Sequence, residues 1–172
     1  VKPQGDVLVW DNTGRHPALL AVQTAMNAGA RVQLATIDTT IGQDLVYPEV
    51  IRWNKEFAKA GFRAEPHLRL AEVRKSGNRL EAVLMNELTH LTEERIVDQV
   101  VVDMGTIPID DTFIELRERS GNDGVTDLHA LKELVPQPVT RDGFELHRIG
   151  DALASRNVHA AIYDALRLCS VC

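Results

Sequence analysis

Toward the end of the sequence, Ile149-Gly150-Asp151-Ala152 is followed by Arg156-Asn157-Val158-His159-Ala160-Ala161-Ile162-Tyr163-Asp164-Ala165. This reads as a short apolar strand ending in Gly-Asp, a polar link, and an amphipathic helix opened by an Asn cap. A carboxylate at the carboxyl end of a strand can accept hydrogen bonds from sugar hydroxyls. The unpaired N–H groups of a following helix can face phosphate oxygens. The combination suits a dinucleotide, with Gly150, Asp151, Asn157 and Val158 as its contacts. The competing reading of Asp151 is a plain turn or helix-capping acid.

A second possible nucleotide site is the turn after the first strand, Val7-Leu8-Val9-Trp10. A working fingerprint there would read G-x-G-x-x-G, so that the backbone can approach a pyrophosphate. The matching positions hold Asp11, Thr13 and His16 in one register, and only Gly14 remains if the loop has shifted. Asp11 also has the wrong sign. At ~6 Å from a phosphate charge, with an effective dielectric near 20, repulsion would cost roughly 2–3 kcal/mol. The acid expected at the end of the second strand, for the adenosine ribose, is replaced by Ala35-Thr36. Tight NAD binding by this part of the chain is therefore not expected.

The elements that position these residues follow from periodicity. Val7–Trp10 is a continuous apolar run, suited to a strand buried on both faces of a parallel sheet. Pro17 fits a first helical turn, and Leu19, Leu20, Val22, Ala25 and Met26 recur at helical spacing up to Gly29. Arg31–Thr36 supplies the second strand of a βαβ unit. A helix after Pro48 carries Trp53 and Phe57 and stops at Gly61. The segments 68–74 and 80–86 flank Ser76-Gly77-Asn78 as a hairpin. Ile96–Asp103 reads as one last parallel strand. Beyond it, residues 112–117 form a short helix or strand, and Ser120–Gly124 is turn chemistry. The stretch up to Arg141 reads as mobile or extended, Phe144–Ile149 as the strand feeding Asp151, and the final helix as burying Val158, Ala161, Ile162, Ala165 and Cys169.

Val100-Val101-Val102-Asp103 runs into Met104-Gly105-Thr106-Ile107-Pro108, and the Gly150-Asp151 segment follows several tens of residues later. This order resembles the C-terminal part of the NADH:flavin oxidoreductases that carry FMN and an iron–sulfur (4Fe–4S) centre, the group of trimethylamine dehydrogenase and 2,4-dienoyl-CoA reductase. The run Arg156–Arg167 is the most specific part of the match, and it is most similar to N-methyl amine demethylases acting on compounds such as dimethylglycine or N-methylproline. The resemblance implies an α/β fold in two parts. Residues 6–105 would be a Rossmann-like, three-layer NAD(P)-binding-type unit with a β-hairpin and a degraded glycine motif. Residues 106–172 would be the returning C-terminal half of an FAD-type domain. Thr106 and Gly14 join Gly150, Asp151, Asn157 and Val158 as the implied cofactor contacts. FMN, the 4Fe–4S cluster and FAD, ADP or NAD(H) would belong to the intact enzyme, with an N-terminal flavin barrel domain as partner and a homo-oligomeric assembly.

Bulk properties exclude several classes. A net charge of −6 with no run of Lys or Arg argues against a nucleic-acid or anionic-membrane surface. No segment approaches 18 uninterrupted apolar residues, and Val1–Asp6 has no signal-peptide pattern. Two cysteines, both near the end, supply no disulfide framework, so a reducing cytoplasm is the expected setting. With no initiator Met, the chain reads as part of a longer polypeptide. Cys169 and Cys172 form a lone CxxC without further ligands, so no metal is expected. The dispersed histidines and the Glu87, Glu93, Glu94 group read as surface residues, and no catalytic residue stands out. The expectation is a nucleotide platform or scaffold belonging to a flavoenzyme, inactive and cofactor-free by itself. The alternative is a non-catalytic Rossmann-like module for packing, with at most a structural ADP.

Overall fold

The computed structural model describes residues 2–170. The chain divides into two compact units, Val1–Gly105 and Thr106–Cys172.

In the first unit β1 (Asp6–Asp11), α1 (His16–Asn27) and β2 (Arg31–Thr36) are followed by α2 (Tyr47–Lys59) and β3 (Ala64–Glu65). Then come β4 (Leu68–Ser76), β5 (Arg79–Asn86), β6 (Thr92–Val97) and β7 (Gln99–Asp103). A four-stranded parallel sheet has the order β3-β2-β1-β7, and β4-β5-β6 form a three-stranded antiparallel sheet. β1 is thus an interior strand, and alternation along it separates two cores. Val7 and Val9 point into a cluster with Leu19 and Val22 of α1 and Trp53 and Phe57 of α2. Leu8 and Trp10 point the other way, onto Leu68, Ala82, Leu84 and Val97 of the antiparallel sheet. The result is a Rossmann-like α/β unit with helices, parallel sheet and antiparallel sheet in three layers. Burial on both faces is what the continuous apolar run of β1 requires.

The expected single strand Ile96–Asp103 is two strands. Val97 is fully buried in the antiparallel core, and the chain passes to the parallel sheet at Asp98. The Asp98 N–H donates to the Asp6 carbonyl at 2.8 Å. Its carboxylate accepts the Asp6 N–H at 2.7 Å and Arg79 Nε at 2.9 Å. These bonds stabilise the crossing between sheets, which an unbroken apolar run conceals.

The second unit contains α3 (Asp111–Arg117), α4 (Leu128–Glu133), a 3₁₀ turn at Gly150–Ala152 and α5 (Val158–Cys169). α4 replaces part of the expected extended stretch. It starts where Asp127 Oδ1 accepts the N–H groups of His129 and Ala130, at 2.8 and 2.9 Å. Residues 120–124 form the expected turn, with Ser120 and Asn122 buried. Phe144–Ile149 is not a strand, because among the described residues of this unit there is no strand to pair with it. The expected stripe of α5 is also shifted. Leu168 is buried, and Ala161, Asp164 and Ala165 are partly buried. Val158 and Ile162 are exposed by 66% and 62%, and Cys169 is exposed too, so the apolar residues expected to face inward largely face outward.

The interior position of β1 has a measurable consequence. Leu8→Ala, between the two sheets, should destabilise the chain by about 3 kcal/mol in denaturant unfolding. Val101→Ala on the half-open β7 should cost less than about 1 kcal/mol. Equal losses would contradict the layer order.

Candidate functional site

In open α/β sheets, ligands bind beyond the carboxyl ends of the strands. Here Asp11 pairs in register with Thr36 of β2 and with Asp103 of β7, so these three residues line that end of the sheet. The turn leading to α1 starts at Asp11. Its Oδ1 accepts the N–H groups of Thr13 and Gly14, both at 2.9 Å. The Thr13 hydroxyl then donates to Asp103 Oδ2 at 2.6 Å, and Asp103 Oδ1 accepts the Gly105 N–H at 3.2 Å. Two of the amides a pyrophosphate would need are therefore already bound by a carboxylate of the chain itself.

Gly14 is held on a left-handed backbone, at φ +63°. A Cβ at this position would lie 2.8 Å from Asp38 Oδ2 and 3.1 Å from the Asp44 nitrogen. Glycine is needed here for packing between two segments as well as for its backbone angle. Asp38 lies two residues past the end of β2, and its N–H donates to the Thr36 hydroxyl at 3.1 Å. Arg15, the N-cap residue of α1, pairs with Asp44 at 2.7 Å.

Asp11 is fully buried, and its Oδ2 has no hydrogen-bond partner. Burial holds its carboxyl above the ordinary carboxylate range. The Thr13 and Gly14 amides oppose that shift, while the nearby charges of Asp103 and Asp38 add to it. Asp38 is raised as well, by burial and by Asp44. A phosphate placed here would meet acceptors where it needs donors, so the turn does not fit a pyrophosphate. Beside the end of β2 a cavity of about 310 Å³ carries Ile41, Phe57 and Phe62 with Thr36, Thr39 and Arg63, away from the occupied amides.

In the second unit Gly150 and Asp151 divide into different roles. Gly150 is buried at φ +57°, and a Cβ on it would lie 3.2 Å from that of Ala161 in α5. Its N–H donates to Asp164 Oδ2 at 3.1 Å, and the same oxygen accepts from Arg156. Gly150 thus seats the 3₁₀ turn on α5. Asp151 is exposed, caps no helix, and has no hydrogen bond or ion pair among the described residues. The α5 cap is Asn157, whose Oδ1 accepts the Ala160 N–H at 2.9 Å. Val158 opens α5 exposed, and Thr106 is exposed ahead of α3. Gly150, Asp151, Asn157 and Val158 therefore lie together, whereas Gly14 belongs to the other unit. Among the described residues no three His, Cys, Asp or Glu side chains converge to hold a metal. Cys172 of the CxxC lies outside the described residues.

The buried acid gives a pH-dependent stability with a defined sign. A carboxyl harder to ionise in the folded than in the unfolded chain contributes stability that is complete below the unfolded pKa. That contribution is lost as pH rises through the raised folded value. Asp11→Asn keeps an Oδ1 acceptor for both amides and removes the charge. Its melting temperature should exceed that of the wild type by about 2–5 °C at pH 7. The difference should vanish near pH 3, as thermal scans across that range would show. An unchanged or lower value at pH 7 would contradict a disfavoured buried charge.

No family model matches the chain. It is 39% identical to the "Probable N-methylproline demethylase" of Rhizobium meliloti over 170 residues, 97% of this chain and 25% of that protein. It is 38% identical to an N,N-dimethylglycine/sarcosine dehydrogenase of Chromohalobacter salexigens, over 98% of this chain and 25% of that protein. Among solved structures, histamine dehydrogenase from Rhizobium sp. 4-9 superposes with a TM-score of 0.68 at 17% identity, covering 94% of this chain and 22% of that one. The chain thus spans about a quarter of the length of the curated relatives it matches. Over nearly its whole length, this chain is homologous to one quarter of the amine-demethylating and amine-dehydrogenating flavoenzymes, the group that its sequence resembles.

Proposed function

We propose that this chain is the C-terminal portion of a flavin-dependent oxidoreductase that removes N-methyl groups from small amines. Its first unit serves as scaffold, and its second contributes to a nucleotide platform. The observation that carries the reading is the 39% identity to an N-methylproline demethylase across 97% of the chain. Catalytic FMN and the 4Fe–4S cluster belong, in this reading, to the rest of the enzyme, in an N-terminal barrel, and the chain alone is inactive. The intact enzyme is a cytoplasmic homo-oligomer. Occupation of the turn amides by Asp11 supports the scaffold role of residues 6–105. The unpaired carboxylate of Asp151 supports a nucleotide role for residues 106–172: it is free to accept from sugar hydroxyls of FAD or ADP, with Thr106 and the start of α5 as further proposed contacts. A non-catalytic packing module is the second reading, and the closed turn favours it for the first unit.

Affinities separate these roles. A charge-assisted bond to Asp151 contributes roughly 1.5–3 kcal/mol, whereas micromolar binding requires about 8 kcal/mol. Titration calorimetry of the isolated chain should therefore give Kd values no tighter than millimolar for FAD, NADH and ADP. In the full-length enzyme, Asp151→Ala should lower bound nucleotide and leave the flavin of the barrel in place. Low-micromolar NADH binding by the isolated chain would refute closure of the turn. Unchanged nucleotide content in the full-length variant would reduce Asp151 to a turn residue.

A further inference from the structure

Helix α2 gives way to a turn at Gly61, held at φ +70°. Beyond it the chain folds back on the helix. The Phe62 N–H donates to the Phe57 carbonyl at 2.9 Å, and the two rings meet edge to face with centroids 5.1 Å apart. This aromatic pair sets where the next residue, Arg63, leads into β3. From the other side comes the segment that follows β2, with Thr36 fully buried at the strand end and Ile41 buried in the loop beyond. Between the two lies the cavity of about 310 Å³, at the carboxyl ends of β2 and β3.

The polar groups of its wall share one character. Arg63 and Thr40 line the cavity and make no ion pair or hydrogen bond among the described residues. The buried Thr36 hydroxyl accepts the Asp38 N–H, and its own proton is donated to no group among the described residues. Asn54 lines it too, with Nδ2 donating to the Val50 carbonyl at 2.8 Å. Ile41, Phe57, Ala58 and Phe62 make the wall apolar elsewhere. No acid lines it, in a chain of net charge −6. The acids next to it in sequence are turned to other groups. Glu65 pairs with Arg95 at 2.7 Å, and Asp38 Oδ2 lies against Gly14.

We propose that this cavity binds a small monocarboxylate with a flat apolar body. The carboxylate meets the Arg63 guanidinium, whose planar fork offers paired N–H donors in the geometry that a carboxylate accepts. The hydroxyls of Thr36 and Thr40 supply further donors, and the apolar body lies against Phe57, Phe62 and Ile41. One unpaired cation matches one negative charge and leaves the second charge of a phosphate dianion unmet. A cation or a zwitterion finds no acid on the wall. The volume stands at the small end of the range for ligand sites, which is too little for a dinucleotide. The inference goes beyond the proposed function and does not depend on it.

A ¹⁵N-resolved NMR titration of the chain with benzoate at neutral pH tests this. The amides of Thr40, Phe62, Arg63 and Ala64 should shift saturably, with a Kd of about 1 mM or tighter, while those of Thr13 and Gly14 stay in place. Benzamide and benzylammonium keep the ring and remove or reverse the charge, and inorganic phosphate keeps negative charge without the ring. Each should bind at least about tenfold more weakly than benzoate. Arg63→Gln should weaken benzoate binding by a similar factor. Lys59→Gln removes a nearby charge that does not line the cavity and should leave binding unchanged. Ala58→Leu fills the cavity from an exposed helical position and should abolish the shifts. Absence of a saturable shift with benzoate, undiminished binding by Arg63→Gln, or equal binding of benzylammonium or phosphate would overturn the inference.

Discussion

The two hydrogen bonds from the Thr13 and Gly14 amides to Asp11 Oδ1 determine what the first unit can do. They place a buried carboxyl group where a dinucleotide-binding unit leaves donors free. Asp103 extends the arrangement by accepting from the Thr13 hydroxyl, and Asp38 closes against Gly14. The site keeps the architecture of a nucleotide turn (strand end, glycine at positive φ, helix start) with its electrostatics inverted. Architecture persists because β1 is needed for packing on both faces, a requirement independent of any ligand. Two donors of the turn, the Thr13 and Gly14 amides, are taken up by the protein's own carboxylate.

The second unit presents the opposite case. Gly150 and Asn157 are spent on structure, one seating the turn against Ala161 and the other capping α5. Asp151 is left unengaged and exposed at the same place. The same unit exposes apolar side chains on α5 and at Ile107 and Ile109.

Much of the first unit was legible because its signals are local. The apolar run of β1, Pro17 and Gly29 around α1, and the Ser76-Gly77-Asn78 hairpin each follow from short-range chemistry. The passage at Asp98 was not legible, because Val97 and Val100 belong to different sheets yet are equally apolar and pack in the same core. In the second unit, Phe144–Ile149 carries a strand pattern but has no strand to pair with among the described residues of that unit, and strands exist only in pairs. The α5 stripe was misplaced for a related reason: the helix has apolar residues on two faces, and periodicity does not say which one this chain covers. At the turn, the missing glycines and the sign of Asp11 were visible in sequence. The capture of the Thr13 and Gly14 amides was not, since it depends on where one carboxylate points.

Closure of the first turn by its own carboxylate is most directly tested at the two amides concerned. In ¹⁵N-resolved NMR spectra of the chain, the Thr13 and Gly14 resonances should not move as NADH is added to millimolar concentration. They should shift together on acidification, as Asp11 takes up its proton. Saturable movement of either resonance at micromolar NADH would show those donors to be available to phosphate, and would contradict the closed turn.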